Sequence, residues 1–338
     1  MSSRIGNSGG ITRLLRRFVG TPMPTLGCEI STAGVTLARW NDGAAQLNAT
    51  AWRPLAPGAL DPTPLRENLA QPEQLRAALA GCLDSLGLGG ARSGGKGENK
   101  GGGIDTALVI PDQAARLFML DFDKLPRSTP EAIQLIRWKL KKSVPFDIDA
   151  SAVSFTARRR PSGEAAGWQV ISVVTPHTVI HQYEQLLESL GLTPSRVTLS
   201  SLAALALIPE SDAGSTLLAK FSPPWFTTVI VQGGNLCLFR SGALGQTADP
   251  TTAEILEAIY PSFAYFQDNF GSTLERVYLC GLGEASSGVA EALANELHLN
   301  AQPLLSAADL PPASHWTSGN AERYAASLAG LVREQQFA

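Results

Sequence analysis

One pattern is written twice along this chain of 338 residues. From Thr25 the runs TLGCEIS, GVTLARW and AQLNATAW follow one another, separated by turn residues, and Gln71 to Leu86 then takes helical spacing. The second half opens in a comparable way. STLLAKF, FTTVIVQGG and NLCLFRSGAL read as three successive strands, and Thr251 to Asn269 reads as a helix. A strand meander must bury one face, and the helix that follows supplies an apolar stripe to cover it. Two such units in series predict an α/β, bilobal fold with a cleft between the lobes.

Other elements fill in this plan. The Gly-rich stretch from Gly87 to Gly103 is expected as a flexible surface loop ahead of the strand TALVIP. RLFMLDFDKLP reads as a further strand, followed by a helix containing Trp138 and by the strands AVSFTARRR and WQVISVVTP. A helix from Thr178 to Leu190 ends at Gly191, which suits a C-cap glycine. The strand RVYLCGLG, a helix from Ser287 to Leu297 and a closing helix from Ala321 to Glu334 complete the series.

Composition narrows the function classes. With 44% hydrophobic and 17% charged residues there is material for two cores. A net charge of -3, with no interleaving of basic and aromatic residues, argues against a nucleic-acid partner. No apolar run approaches the roughly 20 residues of a membrane span. The N-terminus also lacks an apolar signal core with a cleavage site, so the expected location is cytoplasmic. Cys28, Cys82, Cys237 and Cys280 form no CxxC pair and read as buried, reduced thiols.

Residues 1–24 are expected to form a flexible N-terminus that carries a short basic amphipathic helix. Ile11, Leu14, Leu15, Phe18 and Val19 follow the i, i+3, i+4, i+7, i+8 spacing, with Arg13, Arg16 and Arg17 on the other face. About three turns of helix are marginal alone in water, so the segment needs a surface to fold on. That surface is the protein's own, a partner's or the anionic inner leaflet, where each arginine would add about 1 kcal/mol; peripheral contact with the inner membrane is the expected role, with docking on the protein itself as the alternative.

The stretch WKLKKSVPFDIDAS, Trp138 to Ser151, ends a helix abruptly. Ile133, Ile136 and Leu140 share one face, with Arg137, Lys139, Lys141 and Lys142 in the intervening positions. Pro145 pushes Val144 out of the helical region, so the chain turns and presents Phe146 beside Asp147 and Asp149. Those two carboxylates read as a solvated turn rather than an acid/base pair. GARSGGK, Gly90 to Lys96, has P-loop spacing, but Gly97 stands where a Mg²⁺-holding Ser or Thr is needed. His177 and His181 are four apart on a helix without the HExxH glutamate and read as surface residues, so no metal site is expected.

The order of these features resembles the type IV pilus assembly protein PilM family, whose members share the actin-like ATPase fold with the cell-division protein FtsA. The resemblance covers nearly the whole chain after Thr25. It rests on the turn Val144, Pro145, Phe146 followed by an acidic residue, on SVVTPHTVIHQYEQLLESLGLTPSRVTLSSLAALAL, on RVYLCGLGE and on ERYAASLAGLVRE. It implies a bilobal actin-like (ASKHA) fold: a first lobe over 25–210 with a small inserted subdomain at about 113–175, and a second lobe over 213–338.

The resemblance also implies where nucleotide would be held. The family uses two hairpin loops of the DxG type, and both are altered here. Glu29 and Ser31 take the first aspartate and glycine positions, and Lys220 and Ser222 take the second pair. The aspartates position Mg²⁺, which a lysine cannot bind, and the glycines let backbone N–H groups approach the phosphates. The SPPW run, Ser222 to Trp225, reshapes the second hairpin, and the adenosine-side turn keeps Gly281 and Gly283. ATP with Mg²⁺ is therefore the family ligand, with weak binding and no hydrolysis expected.

For partners, the resemblance implies a groove at Ile136, Leu140, Val144, Pro145 and Phe146 that receives the cytoplasmic N-terminal peptide of the inner-membrane protein PilN, with the pilus motor ATPases as further candidates. The expected function is a cytoplasmic scaffold. Two alternatives stand beside it. An active ATPase or kinase of the actin/hexokinase superfamily requires the aspartate that Lys220 replaces, and a type II secretion component of the GspL type would carry a transmembrane helix.

Overall fold

The computed structural model describes residues 24–41, 46–89, 103–159, 167–209, 214–245, 250–305, 309–311 and 321–336. The basic segment at 11–19 and the glycine-rich GARSGGK stretch lie outside these residues. The chain forms two compact units. One holds Thr21–Leu37 and Ala51–Ser200, and the other holds Ala38–Thr50 and Ser201–Ala338.

In the first unit, β1 (Leu26–Ile30), β2 (Gly34–Arg39) and β3 (Ala49–Pro54) lead through α1 (Pro72–Ser85) to β4 (Ile104–Ile110). The sheet order is β3-β2-β1-β4-β8, where β8 is Leu192–Leu199. β4 runs parallel to β1, with Cys28 opposite Leu108, and parallel to β8. Central strands in such a sheet are covered on both faces, so they read as continuous apolar runs. Ala107, Leu108 and Val109 of β4 are wholly buried, as are Cys28 and Ile30 of β1.

A second, smaller layer in this unit is built from β5 (Arg116–Phe122), α2 (Thr129–Leu140), β6 (Ser151–Arg159) and β7 (Trp168–Pro176), with strand order β5-β7-β6, all antiparallel. Alternation places Leu120, Phe122, Ala157, Val170 and Val174 on one face, where Ile136 and Leu140 of α2 and Ile148 complete a core. The helix α3 (His177–Glu188) then leads into β8. Its Gln182 accepts hydrogen bonds from the backbone N–H groups of Asn68 and Leu69, and Tyr183 donates to Asn68 Oδ1 at 3.0 Å. These bonds tie the long β3–α1 connection down.

The second unit repeats the strand plan of the first. After α4 (Ser200–Ala204), β9 (Ser215–Ser222), β10 (Trp225–Gln232) and β11 (Asn235–Ala243) form an antiparallel meander. The helix α5 (Thr252–Phe270) follows, then β12 (Arg276–Cys280), α6 (Ala285–Leu297) and β13 (Asn300–Pro303). The order β11-β10-β9-β12-β13, with β12 parallel to both β9 and β13, matches the first sheet strand for strand. Leu217, Phe221, Ile230, Ile255, Ile259, Phe266, Val277, Val289 and Leu293 form its core. The closing helices are α7 (Ala321–Tyr324) and α8 (Ala326–Gln336), which crosses so close to Ala203 that a Cβ on Gly330 would lie 2.0 Å from the Ala203 carbonyl oxygen.

Two strands differ from the sequence reading, which places none at Leu192–Leu199 or Asn300–Pro303. Both are edge strands, and both contain proline. Proline is tolerated there because no inner ladder bond is lost. At β8 the register slips between Thr106 and Ala107, so Pro194 pairs with Thr106 and Arg196 with Ala107.

Candidate functional site

The altered hairpin loops fall one in each unit. In the first, Glu29 closes β1 and is 4% exposed, with the Ser200 hydroxyl donating to its Oε1 at 2.5 Å. Ser200 stands at the start of α4, directly after the edge strand β8. Ser31 is also buried, and it shapes the β1–β2 turn: its N–H donates to the Gly34 carbonyl at 2.9 Å, and its hydroxyl donates to the same oxygen at 3.0 Å. Glycine is required three residues further on. A Cβ at Gly34 would stand 2.4 Å from the Arg53 carbonyl oxygen and 2.6 Å from Trp52 Nε1, so the close approach in this hairpin is made to β3.

In the second unit, Lys220 lies on β9 with Thr227 opposite it, and it is 6% exposed. Its Nζ donates to Ser222 Oγ at 3.4 Å, so the cation and the serine of the altered loop are brought together. The Pro223–Pro224 peptide that follows is cis. β12 pairs Cys280 with Lys220, which brings Gly281 against Phe221. Gly281 has φ +79°, and a Cβ there would meet the Phe221 carbonyl oxygen at 2.1 Å; Gly283 has φ +55°. Lys220, Ser222, Gly281 and Gly283 therefore converge on adjacent strand ends of one sheet.

A residue outside the sequence-based set covers that glycine turn. Arg323 Nε donates to the Gly281 carbonyl at 2.8 Å, and its Cδ and Nε would lie 3.5 and 3.6 Å from a Cβ on Gly283. The guanidinium also sits over the Tyr324 ring at 5.5 Å. No spacing in the sequence links Arg323 to a turn 42 residues away. Ser200 was similarly hidden, because its partner Glu29 lies 171 residues away along the chain.

The residues around Pro145 belong to the small layer. Ile136 and Leu140 are wholly buried in its core, while Val144 and Phe146 are half-buried and pack against the same cluster. Pro145 is exposed. The helix ends at Leu140, four residues before the constrained Val144, and Ser143 N–H bonds back to the Leu140 carbonyl at 2.8 Å. Arg137 fixes the turn from behind, donating to the Ser151 carbonyl at 2.8 Å, and Lys141 pairs with Asp149 at 3.4 Å. Asp147 accepts from the Asp149 N–H at 2.9 Å. Trp138 projects from the helix end with 75% of its surface exposed.

The four cysteines are free and buried. Burial raises the Cys82 thiol to about 12, and burial pushes Cys28 well above the usual thiol range, with Cys82 and Glu29 adding to the effect. Among the described residues no cluster of His, Cys, Asp and Glu could hold a metal ion, and no helix is long and apolar enough to cross a membrane.

Two sheets of one repeated topology, each a meander extended by two parallel strands, define the actin-like ATPase fold. No family model matches the sequence, and no curated protein matches it. Among solved structures the chain is similar to the PilM–PilN type IV pilus biogenesis complex, with a TM-score of 0.70 and 19% identity over 94% of this chain and 99% of that one. More distant are a Bacteroides thetaiotaomicron protein with an actin-like ATPase fold (TM-score 0.47, 12% identity, 93% and 97% covered) and the cytoplasmic domain of EpsL, an inner membrane component of the type II secretion system of Vibrio cholerae (TM-score 0.43, 11% identity, 75% and 80% covered).

Proposed function

We propose that this protein is a cytoplasmic scaffold of type IV pilus assembly that holds the N-terminal cytoplasmic peptide of an inner-membrane, PilN-like partner and does not turn over nucleotide. The observation that carries this reading is the likeness to the PilM–PilN complex, which runs over nearly the full length of both chains. The motor ATPases of the pilus are further partners in this reading, and the basic segment at 11–19 lies on the inner membrane beside the anchored partner.

The residues present fit ATP with Mg²⁺ poorly. Lys220 is a buried cation at the position where a metal-positioning carboxylate would stand, so it repels the ion it would have to orient. Ser31 spends its N–H and hydroxyl on the Gly34 carbonyl. Arg323 lies across the glycine turn that would face an adenosine. Interaction remains as the task of the fold. The partner peptide docks beside the turn at Val144, Pro145 and Phe146, with Ile136 and Leu140 supporting that wall from the core beneath.

Calorimetry tests both halves of the proposal. A peptide copying the partner's cytoplasmic tail is expected to bind, and Phe146→Ala to weaken it by about 1 to 3 kcal/mol, the scale for truncating an apolar anchor. ATP·Mg²⁺ is expected to give no heat. Unchanged peptide affinity with a lowered melting temperature would assign Phe146 to the core alone. Mg²⁺-dependent ATP binding that disappears in Glu29→Ala would restore the ATPase reading.

A further inference from the structure

The two large sheets end in the strands β3, β8, β11 and β13. A proline blunts an edge against further pairing, and β3, β8 and β13 each contain one. β11, NLCLFRSGA, contains none. Its register shows which backbone groups face outward. Leu244 N–H donates to the Pro224 carbonyl at 2.6 Å, and Gly242 and Arg240, two and four residues before it, lie opposite Phe226 and Thr228. Antiparallel pairing alternates, so Gly242 and Arg240 turn their N–H and C=O groups toward β10, while Ala243 and Phe239 turn theirs to the outer edge. Among the described residues no strand pairs with that edge.

Beside it, between β11 and the first turns of α5, lies a cavity of 340 Å³. Gly242 makes room for it. A Cβ built there meets nothing within 4 Å beyond its chain neighbours, so packing does not demand the glycine. Phe226, Leu244 and Ala258 form the apolar part of the wall, and Arg240, Glu254 and Glu257 bring the charges. The Arg240 guanidinium donates to the Ala258 carbonyl at 3.3 Å, and the Glu254 carboxylate accepts from Thr251 N–H at 2.7 Å, so both are fixed against α5. Glu257 is exposed. The balance is two carboxylates to one guanidinium.

We propose that β11 takes up an extended segment of a partner protein as an additional strand, with a lysine or arginine of that segment entering the cavity. Main-chain hydrogen bonds to Phe239 and Ala243 hold such a strand, and its residue beside Gly242 carries a side chain to the α5 face. The stem of that side chain lies on Phe226, Leu244 and Ala258, and its charged end meets Glu254 and Glu257. Charge selects the occupant, because an acidic segment is repelled by the same pair. A second copy pairing through β11 would set two α5 helices, which carry Glu254, Glu257 and Asp268 and no lysine or arginine, on one face of the joined sheet.

A phage library of random short peptides, panned on the full chain and then depleted on Gly242→Leu, is the probe. Gly242→Leu fills the cavity and is expected to keep the wild-type melting temperature. The depleted pool is expected to share one lysine or arginine within an alternating, β-branched pattern. A fluorescein-labelled copy of its commonest sequence should bind wild type about tenfold or more tighter than Gly242→Leu or Glu257→Lys in anisotropy titrations, the scale of a lost anchor. Replacing its basic residue by glutamate should shift the preference to Glu257→Lys. An empty pool, a pool with no shared basic position, or equal affinity for wild type and both variants would overturn the site. A wild-type dimer in sedimentation that Gly242→Leu dissociates would overturn the assignment to a partner, because β11 would then pair with itself.

Discussion

At the scale of single residues, the candidate nucleotide loops show two uses of glycine. Gly281 combines a left-handed backbone with a contact that leaves no room for any Cβ. Gly281→Ala is therefore expected to destabilise the fold by more than about 2 kcal/mol, since backbone strain of about 1 to 3 kcal/mol adds to the displacement of Phe221. A urea midpoint unchanged from wild type would show that the turn relaxes freely. The glycines at 281 and 283 were picked out only through the resemblance of RVYLCGLGE to the family's glycine turn. The role of Gly34 was not legible. Its requirement comes from Arg53 and Trp52 on a neighbouring strand, and Arg323 reaches its turn from a helix far along the chain. Pairings of that kind exist only once the sheets have formed.

At the scale of elements, α5 shows how a local signal fixes a boundary. Thr251 and Glu254 close a capping box, with Thr251 N–H donating to the Glu254 carboxylate at 2.7 Å and Glu254 N–H returning to Thr251 Oγ1 at 3.3 Å. The left-handed Gly271 ends the same helix. Thr251→Ala should cost about 1 kcal/mol in thermal or urea unfolding. The hydrogen bonds from the Thr251 backbone and side chain hold the Glu254 carboxyl below its ordinary value. A group so depressed stabilises the fold fully above the unfolded glutamate range and loses that contribution as pH falls through its folded value. The gap between wild type and Thr251→Ala should therefore narrow as pH drops below about 4, the range in which an unfolded glutamate titrates. A gap that stays constant with pH would detach the cap from the carboxylate. Such helices and the inner strands were readable because caps, turns and apolar runs are local. The edge strands β8 and β13 escaped because their prolines and polar positions argue against a strand until the neighbour that accepts them is known.

For the whole molecule, the repeated meander in the sequence corresponds to two sheets with the same strand order. What the pattern could not convey is that Ala38–Thr50, which runs from the end of β2 to the start of β3, groups with Ser201–Ala338. The proposed membrane contact of the basic N-terminal segment is likewise tested on the full chain. Wild type is expected to sediment with phosphatidylserine-rich vesicles, and the variant with Arg13, Arg16 and Arg17 changed to Glu is expected to stay in solution, since three arginines contribute about 1 kcal/mol each near an anionic surface. Equal partitioning of the two proteins would remove the membrane contact.

The excursion at Ala38–Thr50 has a consequence for how the protein is made. The ribosome delivers β1 to β4 early, yet the stretch Ala38–Thr50 finds its neighbours in the other unit only after Ser201 and the residues beyond it have emerged. Trp40 and Leu47, both buried in the folded protein, lie on this stretch. The second unit therefore cannot be completed from its own late-arriving residues alone, and a truncated product released after β4 would carry this stretch without those neighbours, a state that chaperones and proteases recognise.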